Sequence, residues 1–228
     1  MSVQTLLELL ATPNWGPNQP LVDRLLHWSG YPLFRQAALE LDSSVLFASP
    51  IHGPGHIYRT LCHGAFCALE EPLSRLDTRL LLLACAYHDI GRENDTLDEL
   101  HGWRSAQRLP DITGLTGEDL KLVQAAVDAH SRSDAALGPT VESYQLADLQ
   151  RGLTLAELLK DADGLDRVRI WDLDPAYLRR EASRQRAAFA KELYLRYQRK
   201  TGGALVPAFV QEWKHLDEEG NPLPPSAT

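Results

Sequence analysis

The chain has 228 residues, 44% of them apolar and 24% charged, a globular balance at a length that suits one domain or one domain with an appendage. Lys plus Arg number 23 against 31 Asp plus Glu, a formal net charge of −8, which excludes a bulk nucleic-acid coat and a polybasic membrane binder. A chain this long buries roughly 70% or more of its unfolded surface, so folding alone requires neither disulfides nor a structural metal. Leu, Ala, Glu and Arg are abundant and Val/Ile/Thr alternation is nearly absent, a pattern that predicts an all-α fold.

In chain order, the stretch Met1–Pro13 lacks a basic leader region and has its apolar positions interrupted by Gln4, Thr5 and Glu8. It predicts a short amphipathic helix over 3–11 rather than a signal peptide. Further helices are predicted over 18–28, 33–46, 56–71, 76–89, 99–108, 117–131, 153–162, 175–199 and 206–216, with breaks at Pro13–Pro20, Ser49–Gly55, Pro110–Gly117 and Ser131–Val141. Thr116, followed by Glu118 and Asp119, has the form of an N-terminal cap. Leu155, Leu158, Leu159 and Ala162 lie on one helical face. The longest apolar run, Leu80–Tyr87, falls far short of the ~20 residues of a membrane span. Cys62, Cys67 and Cys85 lack any C-x-x-C spacing and read as small buried hydrophobes, so a reducing, cytoplasmic setting without membrane contact is expected. The polar, Pro-rich end reads as a frayed tail.

Six of the eight histidines fall between residues 52 and 130. His88-Asp89 closes an apolar helix just before Gly91, and burying such a pair is costly unless something compensates it. A divalent metal would, since imidazole nitrogen and carboxylate oxygen are good ligands for Mn, Fe, Co, Ni or Zn. His56 and Arg59 are three apart, on one helix face. The run Lys160–Arg169 is dense in carboxylates and bases. Taken alone, each feature has an ordinary explanation: a satisfied core histidine, or a solvated charged face.

Taken together, His56, His88-Asp89 and Asp163, in that order on an all-α chain, resemble the HD superfamily of metal-dependent phosphohydrolases. The contexts His56-Ile-Tyr-Arg59-Thr60, His88-Asp89-Ile90-Gly91 and Ala162-Asp163-Gly164-Leu165-Asp166 carry the resemblance, which spans about residues 50–170. It implies a single compact helical bundle: N-terminal helices over 1–48, a metal-binding core over 49–172, C-terminal helices of the same domain over 173–217 and a flexible tail over 218–228. It further implies that His56, His88, Asp89 and Asp163 converge on one divalent cation (Mn, Fe, Co, Ni, Zn or Mg), with Asp161 as the alternative for the last ligand. His101 and His130 lie at positions resembling the extra ligands of two-metal members. Either lines the site, or they are a helix-start residue and a helix C-terminal histidine favoured by the macrodipole. His63 is expected in the core or behind the site, and His27 and His215 on the surface.

The activity implied is hydrolysis of a nucleotide or other small phosphate ester, as a monoester or a diester, by a metal-activated water. The competing reading is a catalytically silent HD-fold module that binds a nucleotide, against which the full ligand set argues. Asp89 would assist as base, with Arg92 and Lys160 as catalytic cations. Arg59, Asp95 and Arg167 would contact substrate, Asp95 alternatively capping the next helix. Arg92 departs from HD nucleotidases that carry a Glu three residues after the HD Asp, and weakens transfer of their mechanism. The helix over 175–199, with Tyr177, Arg179, Arg180, Arg184 and Arg186, would close the pocket, form a homodimer face or, as the favoured reading, be an ordinary basic amphipathic helix.

Overall fold

A computed structural model describes residues 3–202 and 213–223. Its order is α1 (Val3–Ala11), α2 (Gln19–His27), α3 (Tyr31–Glu40), α4 (Pro54–Glu70), α5 (Arg75–Tyr87), α6 (His101–Thr113), α7 (Gly117–His130), α8 (Asp134–Ser143), α9 (Leu149–Leu165), α10 (Glu181–Arg184) and α11 (Ala187–Thr201), with short 3-10 turns between some of them. No strand occurs among the described residues, so the fold is all-α. None of these helices is long and apolar enough to cross a membrane.

The axis of the bundle is α4. Every residue from His56 to Ala68 is buried, which a helix achieves only when neighbours surround it. It lies against α3, α5 and α9, while α7 packs on α5, α6, α8 and α9. Pro54 stands in the first turn of α4, where its missing N–H would have no helical partner anyway. Ser74 starts α5 by accepting from the Asp77 amide at 3.0 Å, and Asp148 starts α9 by accepting from the Arg151 amide at 3.0 Å, each satisfying an otherwise orphaned N–H. Thr116 stands at the N-cap of α7, but its hydroxyl makes no capping bond. The three cysteines are free and buried.

The structure corrects three elements. First, α6 runs through Pro110 and ends at Gly114, whose φ of 65° is left-handed. Proline removes the bond to the carbonyl four residues back, and here the Gln124 side-chain amide donates to that carbonyl, Ala106 O, at 2.9 Å. Second, the expected break over 131–141 contains α8, whose buried apolar positions are only Leu137 and Val141, too few to register as a helical period. Third, the long helix expected over 175–199 is broken. The buried Asp161 carboxylate accepts from the Arg179 and Arg180 amides at 2.8 and 2.9 Å, holding Arg180 extended (φ −95°, ψ 136°), so helix resumes only at Glu181 and Ala187.

Of the helix expected over 206–216, residues 206–212 lie outside the described residues. Residues 213–223 instead form a turn with an isolated antiparallel bridge, Leu216 to Pro222. This turn is held against α11 by the Lys191 ammonium, which donates to the carbonyls of Asp217 and Glu218 at 2.6 and 2.7 Å. Leu216 joins Leu165, Val168, Leu173, Leu178 and Tyr194 in a small second core beside the main one.

His63 sits in the main bundle on α4 with neither ring nitrogen hydrogen-bonded, packed edge-on against Phe189 with ring centroids 6.2 Å apart. Burial, assisted by Arg186 and opposed by Asp166, lowers its pKa to about 3, so it is neutral in the folded protein and protonated in the unfolded chain below about pH 6.5. Unfolding at pH 5 therefore takes up this proton, and stability rises with pH between about 3 and 6.5. In urea titrations at pH 5 and 7.5, His63→Leu is expected to flatten that dependence by up to ~1.4 kcal/mol per pH unit. An unchanged slope would count against a buried neutral imidazole.

Candidate metal centre

The centre is built from helix ends. His56 opens α4, His88 follows the last residue of α5, His101 opens α6, His130 closes α7, and Asp163 lies in the last turn of α9. Two close approaches of backbone make this convergence possible. A Cβ on Gly91 would lie 2.3 Å from the Ser105 nitrogen and 2.6 Å from the His101 carbonyl oxygen, so only glycine lets the His88–Gly91 turn press on α6. The Ser105 hydroxyl accepts from the Gly91 amide at 2.8 Å, and the Arg104 Nε donates to Gly91 O at 2.9 Å. A Cβ on Gly102 would likewise lie 2.5 Å from Val127 O. This contact brings the start of α6, with His101, onto the end of α7, with His130.

The four imidazoles form an edge-to-face series. His56–His88, His88–His130 and His101–His130 have ring centroids 5.1, 4.9 and 4.8 Å apart. Each Nδ1 lies on an acceptor: Asp166 Oδ2 at 2.8 Å for His56, Cys85 O at 2.9 Å for His88, Asp98 O for His101 and Val127 O at 2.5 Å for His130. Each Nδ1 is thereby a donor, so in the neutral form of each ring the proton sits there and the Nε2 lone pair faces inward. They meet at 3.1 Å between His56 and His88 and at 3.0 Å between His101 and His130. Asp89 lies between the two pairs. Its Oδ2 is 3.5 and 3.8 Å from the His56 and His88 Nε2 atoms, and its Oδ1 is 3.0 and 3.6 Å from those of His101 and His130. Asp163 Oδ1 stands 3.3 Å from His56 Nε2 and 3.8 Å from His88 Nε2.

This donor set fits a divalent cation. Both Asp89 oxygens are buried without an aligned hydrogen-bond donor, and inward lone pairs at 3.0–3.1 Å repel unless a positive charge lies among them. Two groups have ligand atoms close enough to share an ion: His56, His88 and Asp163, and His88, Asp89 and His130. Both use His88, whose only inward lone pair is on Nε2, so one ion at a time can have it.

The titration environment agrees. Burial holds His88 at about 3, against the pull of Asp89 and Asp163, so it is neutral near pH 7. Burial also lowers His130. Burial alone would raise Asp89, but the positive charge that the facing imidazoles, His88 foremost, take on in acid holds its carboxyl well below the usual carboxylate range. Asp163 is held down in the same way by His56 and His88 against its burial.

The other residues singled out from the sequence are placed as follows. Asp161 is committed to the Arg179 and Arg180 amides and does not reach the histidines. Arg92 Nε lies 3.0 Å from Asp89 Oδ1, so it flanks the centre. Arg59 turns away from open solvent into a buried two-bond pair with Asp166, at 2.6 and 2.9 Å. Asp95 accepts from Ser49 Oγ at 2.6 Å and His52 Nδ1 at 2.8 Å, tying two loops together at the edge of the centre. Lys160 and Arg167 line a cleft of about 470 Å³ that also reaches His130, Asp163, Tyr177 and Arg179. Lys160 pairs with Asp134 at 3.0 Å and its ammonium pKa is lowered by burial. Arg167 pairs with Asp172. His215, expected on the surface, is on the wall of this cleft, 3.7 Å from Asp174.

Asp166 lies in the Ala162–Asp166 context that carries the resemblance, yet the sequence assigns it no role of its own and points to neither Arg169 nor His52 as a member of the site. Asp166 and Arg169 follow Asp163 at steps of three, the spacing that places residues on one helical face, and that was the available signal. His52 reaches the centre only through the turn after Ser49, with its ring centroid 5.9 Å from that of His56, and no periodicity announces it.

The family model described as the HD domain matches residues 55–168, half of the chain, and the chain belongs to the HD domain family. Comparisons with curated proteins and with solved structures give no match.

Because both candidate groups share His88, one substitution removes both. Adding Mn²⁺ to metal-free protein is expected to raise Tm, with stabilisation reaching about 2.7 kcal/mol at a hundred times Kd. His88→Gln is expected to keep the helical circular-dichroism signal and lose the metal-induced shift.

Proposed function

We propose that this chain is a metal-dependent phosphohydrolase acting on a small phosphate ester such as a nucleotide. The observation that carries the reading is the convergence of His56, His88, Asp89 and Asp163 beside a cleft lined by cations. His56, His88 and Asp163, with Asp89, are the residues that would hold the cation. When bound, such a cation supplies positive charge for the phosphoryl oxygens and lets water act as a nucleophile at neutral pH.

The protein's own groups do the rest. Phosphoryl transfer gains chiefly from positioning and charge neutralisation, and Lys160, Arg167 and Arg179 are the cleft's cations for that task. Each is held in place by a carboxylate, Asp134 for Lys160 and Arg179 and Asp172 for Arg167, so an entering phosphate meets side chains already ordered. Asp89 Oδ1 and Oδ2 are the carboxylate oxygens nearest the converging Nε2 atoms that have no aligned donor of their own, and they would take the proton of the attacking water. Arg92, at 3.0 Å, keeps that carboxylate in register.

One observation favours a second reading. Arg92 stands where a separate carboxylate base would be useful and pairs with Asp89 instead, as suits a module that binds a phosphate ester without turning it over.

Steady-state assays with p-nitrophenyl phosphate, bis-p-nitrophenyl phosphate and a set of nucleoside phosphates, each with Mn, Co, Ni and Mg, decide between the two. Turnover is expected with at least one pair. Asp163→Ala is expected to lower kcat/KM about 100-fold or more, above the 10–100-fold typical of residues that merely support metal ligands. Metal-dependent binding of nucleoside phosphates without turnover of any ester would establish the silent module.

A further inference from the structure

The four imidazoles are not held alike. His88, His101 and His130 rest their Nδ1 atoms on backbone carbonyls, whereas His56 rests on a carboxylate, Asp166 Oδ2, at 2.8 Å. Asp166 is fully buried and both its oxygens are engaged. Arg59 Nε donates to Oδ1 at 2.6 Å and Arg59 Nη2 to Oδ2 at 2.9 Å. Arg169 Nη1 stands 3.8 Å from Oδ2. The Arg59 guanidinium in turn lies 5.2 and 5.3 Å from the ring centroids of Tyr194 and Tyr197 on α11, beyond the residues that the HD domain model matches. A supporting series thus runs from α11 through Arg59 and Asp166 to His56.

We propose that Asp166 and Arg59 are positioning residues that make His56, His88 and Asp163 the tight metal position, so that His88 serves this group and a second ion is left with a weaker set of ligands. The inference rests on the metal-centre reading above. A carboxylate that accepts from Nδ1 locks the tautomer and ring orientation of a histidine ligand and strengthens its other nitrogen as a donor. A carbonyl also orients the ring but supplies no full negative charge. The bidentate Arg59 fork fixes the plane of the carboxylate, and the two tyrosine rings restrain the fork. The competing group lacks this support. Its Asp89 Oδ1 is already approached by Arg92 and His101 at 3.0 Å each, and without His88 it keeps only Asp89 and His130, with His101 beside them. One lone pair on His88 cannot serve two ions, so the better-supported neighbour decides where it goes.

Calorimetric titration of the metal-free full chain with Mn²⁺, together with the visible spectrum of the Co²⁺-loaded protein, tests this. The wild type is expected to show one tight step and a weaker one. Asp166→Asn, nearly isosteric, is expected to weaken the tight step about 10–100-fold and to shift the Co²⁺ bands, and Asp166→Glu to restore part of the affinity. His130→Ala is expected to leave the tight step in place and remove the weaker one. Should Asp166→Asn fail to fold by circular dichroism, the double variant Arg59→Met/Asp166→Leu removes both buried charges together and is expected to fold with the tight step lost. The inference is overturned if either variant folds and binds Mn²⁺ with the wild-type Kd, or if His130→Ala abolishes the tight step. Wild-type protein that binds neither Mn²⁺ nor Co²⁺ would instead overturn the metal-centre reading itself.

Discussion

Mutual repulsion among inward-facing donors is the constraint on which the rest of this structure depends. Four buried imidazoles each have the Nδ1 proton tied to an acceptor, so in their neutral form four Nε2 lone pairs point at one another and at two carboxylates. Nothing among the described side chains neutralises that arrangement fully. Arg92 reaches one oxygen of Asp89, and Arg59 and Arg169 are taken up by Asp166. A divalent cation held among these donors would resolve the conflict, and the fold keeps the donors together against their repulsion.

Helix termini make this feasible. A side chain at the end of a helix can enter the centre while the rest of its helix stays in the apolar core, and five such ends meet here. The backbones must then approach more closely than side chains normally allow. Gly91 permits this at the α5–α6 turn, and Gly102 where α6 meets α7. The apolar interior of α5, from Leu80 to Tyr87, is what anchors the His88-Asp89 pair, because it leaves that helix end no freedom to move toward water.

Residues outside the matched HD region carry a different share of the work. Asp172, Tyr177, Arg179 and His215 form much of the cleft wall, and Tyr194 and Tyr197 brace Arg59 from α11. The break in the helix expected over 175–199 belongs to the same design. Had that stretch continued as one helix, the Arg179 and Arg180 amides would have been spent on helical bonds rather than on Asp161, and the segment carrying Tyr177 and Arg179 would not border the cleft.

The resemblance to the HD superfamily implied His56 and Asp163 as donors beside His88-Asp89, whereas local composition and short spacings determined the all-α class, most of the helices, the burial of the cysteines and the titratable His88-Asp89 pair itself. These are properties of neighbouring residues: helical period, caps, and a titratable pair at the end of an apolar helix. Only the tertiary structure decided what each of the other charged residues does. Arg59 is three residues from His56 and reads as a phosphate contact, yet it is drawn inward because Asp166 is buried beside it and a buried carboxylate needs a counter-charge. Asp161 and Asp163 are two apart in one motif, yet they face opposite tasks, since their helix presents them to different partners. His101 and His130, with ordinary helix-end explanations, became part of the centre through the contact at Gly102. A charge acquires its role from what lies across from it in space, 110 residues away in the sequence for His56 and Asp166, and no local pattern encodes that partner.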